Sequence, residues 1–452
     1  LGTLTHGHVC ADLTIYGNGA YISGGERDFE LDTYQYCHNA TNSCNGLTKD
    51  TALTVYNLNG AAVWGQRTTA CTVSIYLEGC QNMQRVYLSG TSGTNNITLK
   101  DCTFDATQKD AGKKASTCTL YSNAVGTILV DGCTFTGVQE PINLNNKAVS
   151  GTQKITVQDS TFKNCSTTDI CISDVTWAAP IRIVSSEGAD SKLTVRDCDF
   201  QYSSEKVSCN GDILLGDGRS DKESYPVYAE ISGTSAEVQI QTPGDRTEGA
   251  NHAQKVSVSA SEQVELTNVV ASIDGTEYAS LAEAIQAAGS MSGNVTITLL
   301  NDVDISGMLK DNQTMDAFDL SASTSLTGLT IRGANQSVQI ISGVDGNNID
   351  GANYCPVLTV KLPAGASLMV ENLTVPNDLL FDTTKGGTLV VQDCVFYGAQ
   401  SGYPQAGSIT YQDNLFEFKG TAENFHTCNA YPVWYKSDGA LDFVFYNNTV
   451  IG

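Results

Sequence analysis

Hydrophobic and polar residues alternate along a short segment that the chain repeats. Its copies at residues 97–104, 128–135, 155–162, 193–200 and 389–396 have apolar residues at alternate positions, then a turn residue, a Cys or Ser, and a Phe. Alternation with a period of two predicts a strand with one buried face. Because a single strand cannot bury that face alone, the repetition predicts a solenoid whose coils stack on one another.

The repeats fall in two regions of the chain. Each copy has one residue directly after its turn residue, and we call this place in the repeat the turn position. In the first region the turn position falls at residues 58, 80, 102, 133, 160 and 198, at intervals of 22, 22, 31, 27 and 38 residues. The short interval suits one coil of a three-sided parallel β-helix, and longer intervals indicate inserted loops. We therefore predict that residues 1–272 form a first parallel β-helix with long loop insertions.

One helix is predicted at the start of the second region. Ser280 and Glu283 have the spacing of a capping box, in which each side chain bonds the backbone of the other residue. Leu281 and Ile285 follow helical spacing, and Gly289 is a natural end. A short helix at about residues 280–288 would cover the apolar end of a second parallel β-helix, which we predict at residues 273–452.

The 15 cysteines form two groups. Those at the turn position of the repeats are Cys80, Cys102, Cys133, Cys198 and Cys394. Because Ser160 occupies the same position in another copy, we predict small inward side chains there, with buried, stacked and unpaired thiols. The other ten lie mostly in turns or insertions, where close pairs such as Cys37 and Cys44 could form disulfides in an oxidising compartment.

The charge of the chain limits its partners. With 25 basic and 49 acidic residues, the formal charge of −24 argues against nucleic acids and anionic membrane surfaces. No apolar run is long enough to span a bilayer, so no transmembrane segment is predicted. An acidic surface is typical of a secreted or cell-wall-attached protein. Because no capping helix precedes the first strand near Leu13, we expect the chain to be part of a longer protein.

Two sets of residues carry a family resemblance. The repeats Lys100-Asp-Cys-Thr-Phe104 and Gln392-Asp-Cys-Val-Phe396 resemble the right-handed parallel β-helix, or pectate-lyase-like, superfamily. The segments at residues 274–285 and 294–301 resemble the start of β-helix domains in large surface proteins of Gram-positive gut bacteria. The resemblance implies an all-β, right-handed solenoid. It implies no single reaction, because this fold includes lyases, hydrolases, adhesins and inert stalks.

The motifs of the catalytic β-helix families are missing from the sequence. Polygalacturonase-like hydrolases carry an Asn-Thr-Asp and an Asp-Asp pair, and the chain has neither, although it has the common dipeptide Gly7-His8. The Arg-x-Pro-x-x-Arg pattern of pectate lyases does not occur. Whether the chain is an enzyme therefore stays open, with a glycoside hydrolase or a polysaccharide lyase as the enzymatic alternatives.

Acidic loops suggest a possible metal site. The loop at residues 212–223 has the density of Asp and Gly that is typical of calcium-binding loops. We take Asp212, Asp217 and Asp221 as candidate calcium ligands, and calcium is the only cofactor indicated. The alternative is an ordinary solvated turn.

An aromatic group is the candidate ligand-binding site. Alternation predicts that Tyr21, Trp64 and Tyr87 point outward on successive coils. The candidate ligand-binding residues, which add neighbouring charged side chains, are Tyr21, Trp64, Tyr87, Arg85, Arg67 and Glu26. The alternative is an exterior aromatic stack that protects a sheet face or lies under an inserted loop.

These patterns favour a secreted or cell-surface β-helix segment that binds a glycan or a host surface molecule, in the manner of an adhesin. A carbohydrate-active enzyme and a structural stalk are the alternatives. The missing catalytic motifs favour binding or a stalk. The long insertions favour binding or catalysis, because a bare stalk needs no insertions.

Overall fold

The computed structural model describes residues 7–9, 12–22, 29–31, 49–66, 69–106, 118–170, 178–185, 189–205, 211–217, 225–241, 254–310, 315–344, 355–417, 433–435 and 440–451. The chain divides into two compact units, of which the first extends to Asn268 and the second begins at Val269. In the described residues, both units consist almost entirely of β-strands, and most neighbouring strands are parallel. The prediction of an all-β chain with long parallel sheets is therefore confirmed.

The described residues of the first unit form three sheets, named A, B and C. Sheet A contains, in order, Gly7–Val9, Phe29–Leu31, Ala62–Gln66, Arg85–Ser89, Cys118–Ser122, Glu140–Asn146, Ile181–Ser185, Ile213–Leu215, Ala236–Ile240 and Gln254–Val258. Sheet B contains Leu13–Tyr16, Thr51–Tyr56, Cys71–Glu78, Gly93–Lys100, Gly126–Asp131, Gly151–Gln158, Ala189–Arg196, Val227–Ser232 and Gln263–Thr267. Sheet C contains Thr103–Asp105, Thr134–Thr136, Thr161–Lys163 and Asp199–Gln201.

Through the middle of the first unit, the chain visits the three sheets in a fixed order, from B through C to A. For example, Gly126–Asp131 in sheet B is followed by Thr134–Thr136 in sheet C and Glu140–Asn146 in sheet A. The next strand returns to sheet B and pairs in parallel with the first, so that Ile155 lies beside Ile128. Equivalent side chains of successive passes therefore form continuous rows along each sheet.

A sharp turn joins sheet B to sheet C in each of these passes. The first residue of the turn has a positive φ, which is 52° at Asp101, 63° at Gly132 and 49° at Asp159. Asp, Asn and Gly tolerate this left-handed conformation better than other residues do. The turn residue that recurs in the sequence repeats is therefore required by the backbone.

The residue at the turn position points into the core. The cysteines found there are Cys80, Cys102, Cys133, Cys198 and Cys394, all of which are buried and free. Their predicted burial without disulfides is thus confirmed. Ser160 replaces cysteine in one pass, where its Oγ accepts a hydrogen bond from the backbone N–H of Cys133 at 3.1 Å.

A phenylalanine stack lies next to this row of thiols in the first unit. Phe104, Phe135, Phe162 and Phe200 occupy equivalent places on the four strands of sheet C. Successive ring centroids are 4.9, 5.1 and 5.0 Å apart, and the rings are stacked. The recurring Phe of the sequence repeat therefore fills the core by contact with its own copies.

Antiparallel strands close the end of the first unit. Gln254–Val258 pairs antiparallel with Ala236–Ile240 in sheet A, and Gln263–Thr267 pairs antiparallel with Val227–Ser232 in sheet B. An open edge of parallel strands would expose unpaired backbone groups. These two strands pair with the backbone groups of the last parallel strand in sheet A and in sheet B.

The second unit has one long sheet and several short ones. Sheet D contains Thr276–Tyr278, Ala271–Ile273, Gly293–Leu299, Leu326–Gly333, Ser367–Glu371, Thr388–Gln392, Ser408–Gln412 and Asp442–Tyr446. Sheet E contains Thr374–Val375, Val395–Phe396, Leu415–Glu417 and Thr449–Ile451, and sheet F contains Phe318–Asp319, Val357–Lys361 and Leu380–Thr383. Two further pairs are Val303–Asp304 with Ile340–Ile341, and Gln400–Gly402 with Val433–Tyr435.

Helix α1 (Leu281–Ala288) lies near the start of the second unit, where the sequence predicts it. Ser280 is its N-cap, and the Ser280 Oγ accepts a hydrogen bond from the backbone N–H of Glu283 at 3.1 Å. The apolar face of α1 packs against the first strands of sheet D. The described residues also include a 3-10 helix at Ser306–Met308, and none of their helices is long and apolar enough to cross a membrane.

Candidate functional site

One row of side chains crosses sheet A on the face turned away from the core. Strand pairing places in register, one strand after the next, Trp64, Tyr87, Tyr121, Asn143 and Arg182. Most residues on either side of them along each strand, such as Val86 and Leu88, belong to the core cluster. Because side chains alternate between the faces of a strand, this row, called the sheet A row, faces outward.

The first half of the row is aromatic. The rings of Tyr87 and Tyr121 stack with centroids 4.5 Å apart and planes inclined by 10°. The guanidinium carbon of Arg85 lies 5.9 Å from the centroid of the Tyr87 ring, within the range of a cation–π contact. One face of each ring is therefore covered by the other ring, and Arg85 lies over the ring of Tyr87. A ligand can reach the edges and hydroxyl groups of the tyrosines more easily than their faces.

The second half of the row is polar and buried. Asn143 is 9% exposed and Arg182 is 5% exposed, although both are on the face opposite the core. The Arg182 Nη1 donates to the Asn143 Oδ1 at 3.1 Å, and the Asn143 Nδ2 donates to a carboxylate oxygen of Glu140. The Arg182 Nη2 is 3.8 Å from a carboxylate oxygen of Asp217. One guanidinium, one amide and two carboxylates thus form a connected buried network.

Burial raises the pKa values of Cys118 and Tyr121, which lie beside this network. Burial, followed by the charge of Glu140, raises the pKa of the Cys118 thiol well above its usual range, while Arg182 acts in the opposite direction. Burial, followed by the neighbouring Tyr87, raises the pKa of Tyr121 to about 12. The thiol is therefore a poor nucleophile at neutral pH. The hydroxyl of Tyr121 stays protonated and can donate a hydrogen bond.

Tyr21 does not belong to the sheet A row, and this part of the prediction is wrong. The strand Phe29–Leu31 pairs with sheet A and places the backbone of Glu30 beside Trp64. Tyr21 instead forms an isolated bridge with Asn59, outside the sheet A strands, and its side chain is 68% exposed. The chain between Tyr21 and Trp64 contains an additional short strand, which alternation alone did not reveal.

The other predicted ligand-binding residues have different positions. Trp64 and Tyr87 are neighbours, as the sequence predicts, and Arg85 accompanies Tyr87. Arg67 and Glu26 lie outside the described residues. A role in ligand binding stays a prediction for all of them.

Tyr121, Asn143 and Arg182 were missed in the sequence. Their signal was present, because each of them stands between two inward-facing residues of its strand. Ile142 and Leu144 flank Asn143 in the way that Val86 and Leu88 flank Tyr87. The same alternation of inward and outward residues, followed from one strand of sheet A to the next, extends the row to these three residues.

The structure gives the predicted calcium ligands other partners. One carboxylate oxygen of Asp212 accepts a hydrogen bond from the hydroxyl of Tyr202, and the other accepts from the backbone N–H of Glu237 at 2.8 Å. Asp217 lies opposite Arg182. Asp221 lies outside the described residues. Within the described stretches no group of three or more His, Cys, Asp or Glu residues could hold a metal ion, so calcium binding stays a prediction.

No protein-family model, curated protein or solved structure matches the chain. The resemblance to β-helix surface proteins therefore depends on the sequence segments and repeats named above.

The sheet A row combines features that suit a hydroxyl-rich ligand. Its tyrosine hydroxyls can donate and accept hydrogen bonds, and the buried guanidinium, amide and carboxylates beside them form a polar network. Such groups, held in fixed positions on a sheet, can pair with several hydroxyl groups of one ligand. The buried network beside the row contains the carboxylates of Glu140 and Asp217, and carboxylates are the residues that most glycoside hydrolases use.

Proposed function

We propose that each unit is a right-handed parallel β-helix and that the first unit is a glycan-binding module, with its binding surface on the outer face of sheet A. The repeated order of sheets B, C and A, with rows of identical side chains one pass apart, supports the β-helix. The proposal includes a secreted or cell-wall-attached location and an adhesin-like role. Both rest on the resemblance to β-helix surface proteins.

The observation that carries the binding function is the composition of the sheet A row. Three aromatic residues in register are followed by an amide and a guanidinium that are connected by a hydrogen bond. A purely structural face would need no buried charged group, because burying an arginine is costly unless it is paired. A glycan that lies along the row would contact the edges and hydroxyls of the tyrosines, beside the buried polar network.

A glycan array tests this function. The full chain should bind a limited set of glycans. Trp64→Ala should reduce that binding and leave the midpoint temperature of unfolding almost unchanged. Tyr16→Ala is the matched control, because Tyr16 is an exposed aromatic residue that stacks on Tyr56 at the outer face of sheet B. Tyr16→Ala should bind as the unaltered chain does. An unaltered chain that binds no glycan would contradict the proposal and favour a structural stalk.

A polysaccharide-cleaving enzyme is the second candidate function. The specific observation in its favour is that Glu140 and Asp217, both more than nine-tenths buried, lie close to the same polar network around Arg182. Buried ionisable groups that interact in this way occur often at catalytic sites. If the chain cleaves its glycan, Glu140→Gln should stop the release of reducing ends and leave binding in place. Binding without any product from the unaltered chain excludes this candidate.

A further inference from the structure

An open groove of about 730 Å³ lies on the second unit, beside strands of sheet D. Its side chains include Thr298, Arg332, Gln336, Glu371, Asn372 and Asp393, all of which are in the described part of the chain. The volume falls within the usual range for small-molecule sites, about 300–1,000 Å³. The groove belongs entirely to the second unit, so it does not depend on the function proposed for sheet A.

The structure of the groove fixes the position of an arginine. The Nε and Nη2 of Arg332 both contact one carboxylate oxygen of Glu371, and the second oxygen of Glu371 accepts from the Gln392 Nε2 at 2.7 Å. Glu371 is only 6% exposed, whereas the side chain of Arg332 is 50% exposed. A guanidinium has five N–H groups, and those on the Nη1 of Arg332 have no partner in the described residues. Arg332 is therefore a half-exposed hydrogen-bond donor, and the buried carboxylate of Glu371 sets its orientation.

Hydrogen-bond acceptors line the other parts of the groove. The Asn372 Nδ2 donates to the carbonyl of Gly333 at 2.9 Å, and the Gln336 Nε2 donates to the carbonyl of Asp393 at 3.0 Å. Since these bonds hold the amide nitrogens toward the backbone, the amide oxygens of both residues are acceptors that a ligand can use. The carboxylate of Asp393 is on an exposed residue and accepts no hydrogen bond within the described residues.

A close backbone contact keeps the base of the groove open. A Cβ atom at Gly333 would lie 2.3 Å from the carbonyl oxygen of Asn372, a distance that real side chains do not reach. No side chain can therefore project from this position, and the peptide of Gly333 and Ala334 forms part of the lining.

The net charge of the groove side chains favours neutral ligands over anionic ones. Glu371 neutralises Arg332 through direct contact, and Asp393 adds one further negative charge. A phosphate or a carboxylated ligand would be repelled by that excess. A ligand with many hydroxyl groups matches the groove better, because each hydroxyl can accept from Arg332 or Thr298 and donate to an amide or carboxylate oxygen. We infer that this groove is a second carbohydrate site, which binds one ring of a neutral sugar.

Saturation-transfer NMR on the full chain tests the inference, with glucose, galactose, mannose, fucose and N-acetylglucosamine as separate probes and galacturonate and inorganic phosphate as anionic probes. At least one neutral sugar should bind. Asp393→Asn should weaken its affinity about tenfold, because a charge-assisted hydrogen bond is replaced by a weaker one. Asparagine suits the backbone at this turn, where Asp393 has a φ of 54° and the equivalent Asn372 has a φ of 55°.

Asp413→Asn is the matched control for this experiment. Asp413 occupies the same turn in the next pass, with a φ of 59°, and it does not line the groove. Its substitution should leave sugar binding unchanged. The inference is overturned if none of the neutral sugars binds, if an anionic probe binds more tightly, or if Asp393→Asn has no more effect than Asp413→Asn.

Discussion

Tyr87 and Tyr121 stack face to face on neighbouring strands of sheet A, with their ring centroids 4.5 Å apart. The sequence predicts an outward row of aromatic side chains, and this stacking limits how such a row can contact a ligand. Each ring covers a face of the other, so the groups that a ligand can contact are the ring edges and the hydroxyls. Recognition at this surface should therefore depend more on hydrogen bonds than on stacking.

The thiols at the turn position should be chemically inert in the native protein. A hydrogen bond with the thiol of Cys133, together with burial, raises the pKa of Cys102 to about 12, and burial raises the pKa of Cys198 to about 11. Because the thiolate is the reactive form, alkylation with iodoacetamide at pH 8 should leave both residues unmodified. In denaturant without reductant, both should be alkylated, as peptide mass spectrometry can show. A disulfide at either residue would contradict the stacked arrangement.

Ser160→Ala should destabilise the first unit. The Ser160 Oγ accepts from the backbone N–H of Cys133 and donates to the carbonyl of Gln158 at 2.7 Å. Alanine would leave that buried N–H without its partner, at a cost of about 1–3 kcal/mol. Ser160→Cys restores the residue that is most frequent at this position and should recover part of the loss. Chemical denaturation that gives equal stability for Ser160→Ala and the unaltered chain would show that this hydrogen bond is unimportant.

Phe135→Ala should be more destabilising than Phe200→Ala. The ring of Phe135 is fully buried between Phe104 and Phe162, whereas Phe200 ends the stack and is only partly buried. Truncation of a fully packed phenylalanine costs about 3–5 kcal/mol, and a partly exposed ring costs less. Denaturant titration of both variants measures the difference. Equal losses would mean that the stack does not act as a continuous core.

The carboxyl group of Glu78 should titrate below its ordinary range. Its pKa is lowered first by the hydroxyl of Tyr76, which donates to the Glu78 Oε2 at 2.6 Å, and then by Lys100. Because the pKa is lower in the folded state, these contacts stabilise the fold above the ordinary carboxyl pKa. That stability is lost as the pH falls through the folded-state value.

A carboxyl-detected NMR titration measures the pKa of Glu78 directly. Tyr76→Phe should raise it more than Lys100→Met does, since the hydroxyl bond is the larger cause. The reverse order would assign the lowered pKa to the lysine charge.

The sequence predicts the repeating part of the fold well, for a physical reason. Residues such as Asp101, Cys102 and Phe104 are selected by local demands, namely a positive φ, a small core position and a stacking ring. Those demands recur in every pass and leave a visible pattern. The helix at Leu281–Ala288 was equally predictable, because its cap and its apolar spacing are local.

The candidate site was only partly predictable. Trp64 and Tyr87 could be placed together because their strands follow each other closely in the chain. Tyr21 was misplaced because the register of a strand depends on which segments pair, and the strand Phe29–Leu31 was hidden in a loop. Asn143 and Arg182 were missed because their hydrogen bond joins residues 39 positions apart, and only the alternation of each strand, compared between successive passes, places them in one row.

The central claim is that the outer face of sheet A binds a glycan, and Tyr121→Phe tests it most directly. This variant keeps the ring that stacks on Tyr87 and removes only the hydroxyl, while Tyr56→Phe makes the same change in the stack on sheet B. Calorimetric titration with the strongest glycan from the array should show about two- to tenfold weaker binding for Tyr121→Phe, as expected for one lost hydrogen bond, and no change for Tyr56→Phe. Equal affinities for all three proteins would contradict the claim.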